Sequence, residues 1–185
     1  DEIDPDGDGN PLADSYDNYS FDAALEWRPS DKTTFKLEGG MSRGASISYN
    51  NIGIVYNDGL KQYFQGSLRS GNFFLQAGHE SVDSTDDDYM AWNYSSGLRT
   101  YVDRTATDFQ LQYNFDIGNS IWTIGGDARL LGQDTKNTLY GRNEDNDDYN
   151  IWGMYLNGDL NLGDKLTLNV SARYDEVNVI EDGVV

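Results

Sequence analysis

The stretch Asp4-Pro5-Asp6-Gly7-Asp8-Gly9 places a carboxylate at every second residue and interrupts them with glycine. Alternate carboxylates can converge on one hard cation, while glycine permits the sharp turn of a calcium loop. Counted from Asp4, the twelfth position is Ser15, where such a loop carries a bidentate Glu. Asp14 or Asp17 would have to complete the shell, so the set expected for Ca2+ is Asp4, Asp6, Asp8 and Asp14. The competing reading is a solvated loop rich in Gly and Asp that holds no ion. His79 is the only histidine, the chain has no cysteine, and Glu80 is the one close carboxylate. That is too little for a transition-metal site. Asp22 and Glu26 share one side of an extended segment and could serve as an acid–base pair. Hydrated walls carry such carboxylates routinely, with Lys36 and Arg69 as neutralising partners. No nucleophile motif or phosphate-binding loop is present, and Leu37-Glu38-Gly39-Gly40 and Ile124-Gly125-Gly126 fall inside strands. The chain is not expected to be an enzyme.

The elements that position these residues are strands. Asp108–Phe115 (DFQLQYNF) alternates polar and apolar residues without a slip. Such alternation puts one face of a strand in a polar medium and the other in an apolar one. The pattern recurs in Tyr19–Trp27, Thr33–Met41, Leu60–Arg69, Phe73–Glu80, Trp122–Leu130, Asn150–Leu162 and Leu166–Tyr174. No stretch has a helical period, which predicts an all-β chain of about eight strands in an antiparallel up-and-down meander. The connections alternate too. Short turns rich in Gly, Pro, Asn and Asp follow the first, third, fifth and seventh strands. Long acidic loops, about residues 42–59, 81–104 and 131–148, follow the second, fourth and sixth. All tight turns then lie at one end, an asymmetry typical of outer-membrane barrels.

Composition narrows the partners. The 185 residues carry 32 Asp and Glu against 13 Lys and Arg, a formal charge of -19, which argues against nucleic acid. The lack of cysteine removes thiolate chemistry and disulfides. No run of about twenty apolar residues could form a transmembrane helix. The apolar face of the strands has aromatics near strand ends (Tyr19, Trp27, Phe115, Trp122, Trp152, Tyr174) and includes Gly66, Gly126 and Gly158. Aromatic girdles are expected where a barrel meets its two interfaces, and glycines that would leave gaps in a packed core cost little against fluid lipid. The opposite face mixes both charges with amides and hydroxyls, as a watery lumen wall would. The apolar face is therefore expected to touch outer-membrane lipid.

The last third has more specific echoes. Gly153-Met154-Tyr155-Leu156, Leu160-Asn161-Leu162, Asp164-Lys165-Leu166-Thr167-Leu168 and Ala172-Arg173-Tyr174-Asp175 follow one another in order. They resemble a hairpin of the TonB-dependent outer-membrane receptors, in which a G-x-Y-L strand leads through a D-K-L turn into a strand ending R-Y-D. Ile124–Arg129 resembles the family's preceding strand, and Gly141–Asp145 its intervening loop; Ala172 stands where the family often has Gly. The resemblance implies an arc of a 22-stranded transmembrane barrel. It further implies an N-terminal plug, coupling to an inner-membrane TonB complex, and a scarce small-molecule or oligomeric nutrient as cargo. The matching motifs are structural, so no ligand-binding residue carries over. On this reading residues 1–18 are an acidic extracellular loop, 19–176 the barrel segment, and 177–185 the start of the next extracellular loop. The first residue, Asp1 rather than Met, reads as a mature or excised segment. Two other functions fit the same strands. One is a non-transporting outer-membrane or surface β-protein for adhesion or structure, with calcium in its acidic loops. The other is a soluble β-sandwich binding carbohydrate through aromatics such as Trp92 and Tyr94.

Overall fold

A computed structural model describes residues 18–50, 53–84, 91–93, 97–139, 148–163 and 165–180. Eight long strands form one antiparallel meander: β1 (Tyr19–Ser30), β2 (Thr33–Arg43), β5 (Leu60–Ser70), β6 (Phe73–Asp83), β9 (Asp103–Ile117), β10 (Ser120–Asp134), β11 (Asp148–Asn161) and β12 (Thr167–Ile180). Each pairs only with its neighbours in sequence order, which leaves β1 and β12 as the sheet's edges. No described residue is helical. The tight turns sit together at one end. Gly71 and Gly118 adopt positive φ there (56° and 62°), conformations closed to most side chains. Neighbouring turns are also tied to the sheet beside them: the Gly71 N–H donates to the Lys32 carbonyl and the Asn114 N–H to the Asn72 carbonyl.

The strands run past the limits set by alternation. β9 and β10 have 15 residues each, and β12 continues to Ile180, beyond the boundary at 176 expected from sequence. Their outer ends lose the apolar pattern because they rise above the apolar band. Two of the long connections are not simple loops either. The one expected over 42–59 contains β3 (Ser46–Asn50) and β4 (Gly53–Asn57), and the one over 81–104 contains β7 (Ala91–Asn93) and β8 (Leu98–Thr100). These four form a second sheet in the order β3-β4-β7-β8, with Val55 opposite Asn93 joining the two connections.

Cross-strand register separates the two faces of the large sheet. Trp27, Phe35, Leu68, Leu75, Leu111, Gly126, Met154 and Tyr174 lie side by side in one row. Phe109, Leu111 and Tyr113 are 47%, 49% and 48% exposed, and Leu25, Trp27, Phe64, Met154 and Tyr174 more so. No described sheet covers them, so the described residues form no packed sandwich. Trp27 is the turn-side limit of the apolar band in β1, yet its row-mate Tyr174 is the outer limit in β12, where the band extends six residues further, to Leu168. Six residues at about 3.3 Å, over seven interstrand steps of about 4.8 Å, correspond to a slant of about 30°. The band lies level only if the strands tilt by that angle, near the tilt of transmembrane barrels.

Two of the glycines on this face, Gly66 and Gly158, are covered by a neighbouring side chain. A Cβ on Gly158 would meet the Trp122 ring at 2.7 Å, and one on Gly66 the Leu37 side chain at 3.2 Å. The large neighbour lies over the glycine and covers its backbone.

Candidate functional site

The polar face is the concave one. Its side chains surround a groove of about 840 Å³ bounded by Asp22, Lys61, Tyr63, Gln76, Gln110 and Arg129. Register assembles it from strands far apart in sequence. One row runs Glu26, Lys36, Ser67, Gln76, Gln110, Asp127; the next runs Glu38, Gln65, Gly78, Asp108, Arg129. Alternation alone identifies which residues belong to this face. Their lateral order depends on register, which the sequence of a single strand does not contain.

The charges on this wall are largely matched. Arg129 Nε lies 2.5 Å from Asp108, and Lys36 Nζ 3.2 Å from Glu26, which also meets Arg28. Glu80 sits between Lys61 at 3.5 Å and Arg104 at 3.6 Å. Arg173 bridges Asp127 at 2.8 Å and Asp175 at 2.6 Å, and its guanidinium lies 5.9 Å from the Tyr155 ring centre. By strand parity, nine carboxylates and seven cations face the groove side, a surplus of two against nineteen for the whole chain. Most of the negative charge therefore belongs to the connections, the strand ends and the first seventeen residues of the sequence. These exposed pairs align side chains more than they stabilise the fold.

Glycines on the concave face make room for its largest groups. A Cβ on Gly40 would clash with Asp22 and come within 2.9 Å of Tyr63, whose hydroxyl donates to Asp22 at 2.8 Å. A Cβ on Gly125 would strike the Tyr155 ring, and the Tyr155 hydroxyl donates to Gln112 Oε1 at 3.2 Å. The Gly39-Gly40 and Gly125-Gly126 pairs, which resemble phosphate loops in isolation, are thus seats for Tyr63 and Tyr155.

The residues singled out from sequence are not brought together as a catalytic set. Asp22 bonds Tyr63 while Glu26 bonds Lys36 and Arg28, so they are not a coupled acid–base pair. Arg69 neutralises neither; its guanidinium lies 5.3 Å from the Phe74 ring centre. His79 faces outward, with Nδ1 2.8 Å from the Thr107 hydroxyl. The calcium candidates Asp4, Asp6, Asp8 and Asp14 lie outside the described residues, as does Tyr94. Among the described residues no group of three or more His, Asp or Glu is placed to hold a metal.

The outer rim has its own polar knot, which sequence did not reveal. Asp58, with its side chain 3% exposed, accepts from Arg43 Nη2 at 2.7 Å and from Arg43 Nε at 3.2 Å. Tyr56 reaches the same carboxylate at 3.5 Å. Asn18 Oδ1 accepts the Ala45 N–H, and the Ser84 N–H donates to the Val102 carbonyl. A third connection joins through Thr138, whose hydroxyl accepts the Tyr101 N–H at 2.9 Å. Above the apolar band, Asp83, Asp103 and Asp134 stand side by side. Burial first, then the neighbouring charges of Asp83 and Asp134, hold the Asp103 carboxyl above its ordinary range, with Lys136 opposing them.

A tilted antiparallel meander with an apolar convex face, a hydrated concave face and structured connections at one end is the wall of an outer-membrane-type β-barrel. The solved structure of the alcaligin outer-membrane receptor FauA from Bordetella pertussis has this fold, with a TM-score of 0.55 at 14% identity. The likeness covers 88% of this chain and 29% of the receptor, so the chain spans under a third of that protein's length. No protein-family model matches the sequence, and no curated protein does.

Proposed function

We propose that this chain is part of the wall of a TonB-dependent receptor of the Gram-negative outer membrane. The whole protein imports a scarce nutrient by ligand binding and gated passage, with no covalent chemistry. Lipid covers the convex face, and the structured connections project outside the cell. A plug and an inner-membrane TonB complex act through other parts of the full-length protein. The reading rests above all on the slanted apolar band opposite a charge-matched concave face. Likeness to an outer-membrane receptor and the motifs of the last hairpin support it.

The chain lacks cysteine, so once any cysteine elsewhere in the full-length protein is replaced, single substitutions report on each face. In intact outer membranes, Gln110→Cys should react with a water-soluble maleimide and Leu111→Cys should not; equal rates at the two positions refute the membrane reading. Transport is tested by uptake of labelled ferric chelates, oligosaccharides, peptides and cobalamin in cells with and without the gene. Accumulation of one class that requires both the gene and the proton gradient supports import. Gene-dependent accumulation that survives collapse of the gradient, or none in any class, overturns it.

A further inference from the structure

The long connections are fastened to one another unequally. The first two share a strand ladder, in which Val55, Tyr56 and Asn57 pair with Asn93, Trp92 and Ala91. Among the described residues the third shares no ladder with that sheet. It is joined instead through the turn Thr135–Thr138, which follows the end of β10. Lys136 and Asn137 both adopt left-handed backbone there (φ 48° and 61°), which asparagine tolerates and lysine resists. The turn is held in this shape by its own hydrogen bonds. The Thr138 N–H and hydroxyl donate to the Thr135 carbonyl at 2.9 and 2.5 Å, and the Lys136 N–H donates to Asp134 Oδ1 at 2.8 Å. Tyr101, just before β9, is where it docks. The Thr138 hydroxyl accepts the Tyr101 N–H at 2.9 Å, and Lys136 Nζ lies 4.9 Å from the Tyr101 ring centre, with the Arg99 guanidinium 4.8 Å from the same ring.

The foot of this turn is charged. Asp134 is the register partner of Asp103, and Asp103 of Asp83, so three carboxylates stand side by side above the apolar band. Like charges directly opposite one another in a sheet repel. Asp103, in the middle, faces Asp83 from β6, Asp134 from β10 and Lys136 from the turn, while its neighbour Arg104 points to the other face, toward Glu80. Burial and the two flanking carboxylates make Asp103 hold its proton more tightly than usual, against the opposing charge of Lys136. Protonated Asp103 relieves the repulsion on both sides. Once ionised, it sets a third charge beside Asp134, whose carboxylate anchors the strained turn. Lifting the turn carries Asp134 away from Asp103. The docked form therefore binds the Asp103 proton more tightly than the undocked form, so acid favours docking and rising pH weakens it.

We infer that the Thr135–Thr138 turn is a releasable clasp on Tyr101, closed in acid and loosened as pH rises, which lets the third connection move while the first two stay joined. The clasp goes beyond the import reading and does not depend on it. The test is hydrogen exchange of the full-length protein in detergent micelles, corrected for the intrinsic effect of pH on amide exchange. From neutral pH down to about pH 4.5, exchange over residues 98–102 and 135–139 should slow by about twofold or more, while β4 keeps its rate. Asp103→Asn should exchange slowly at both ends of that range. Lys136→Met removes the opposing cation and should move the midpoint of the response to higher pH. Thr138→Val keeps the side chain's shape without its hydroxyl and should exchange about tenfold faster in these segments throughout. A wild-type protein with no pH response, or one of equal size in β4, overturns the inference. So does a response that persists in Asp103→Asn, an unmoved midpoint in Lys136→Met, or a Thr138→Val variant no faster than wild type.

Discussion

Replacing Leu111 with Arg separates a lipid-facing surface from a water-facing one. Leu111 lies within the β9 part of the band, with Leu75 on one side and Gly126, which has no side chain, on the other. An arginine at the midplane of a barrel's lipid face costs about 2–4 kcal/mol. The band's outer limit in β9, Phe109, is only two residues away, about 7 Å along the strand. The guanidinium can reach toward that boundary, which brings the expected loss toward about 2 kcal/mol. Gln110→Arg adds the same cation one residue away on the hydrated face and should change stability by less than about 0.5 kcal/mol. The full-length protein is folded into vesicles and titrated with urea, with tryptophan fluorescence as the signal. A gap of about 2 kcal/mol corresponds to roughly 30-fold in the folding equilibrium. If the two variants unfold within about 0.5 kcal/mol of each other, the convex face is in water and the barrel argument fails.

Other perturbations address the rim and the glycine seats. Asp58→Ala should loosen the first long connection by about 2 kcal/mol, less than a fully buried pair because Arg43 keeps access to water; faster amide exchange over residues 43–59 would register it. Asp58→Ala/Arg43→Leu should recover part of the loss, and a double variant worse than the sum of the singles would refute the pairing. Gly158→Ala should cost about 1–3 kcal/mol by pushing the Trp122 ring off its seat, and Trp122→Leu in the same molecule should return much of it, both read from urea midpoints. Because the folded protein holds the Asp103 proton more tightly than the unfolded chain does, stability from this group declines as pH rises through its raised pKa. Asp103→Asn should flatten that decline on the alkaline side of the ordinary carboxylate range, and an unchanged slope would show that the carboxyl is not perturbed.

The large sheet was legible because alternation of period two is a property of each strand alone. Phe109 to Phe115 on β9 and Leu168 to Tyr174 on β12 disclose their faces with no knowledge of a partner. What depends on partners was not legible. β7 and β8 have three residues each, too few for a period to register; β7 exists by pairing with β4 some 35 residues earlier, and β8 by pairing with β7. The same holds for Asp108 with Arg129 and Asp127 with Arg173, whose matching follows from register rather than from spacing. Gly125 and Gly158 were misleading in isolation, since what a glycine admits is set by the residue opposite, here Tyr155 and Trp122. The signal available for them was a Gly facing an aromatic once hairpin register is assumed.

The pairing of Val55 with Asn93 has a mechanical consequence. It yokes two hairpins of the rim that spring from different parts of the wall, so a load on either one is shared by both. Whatever grips the first also restrains the second, and parting them means opening one shared seam rather than moving two independent flaps.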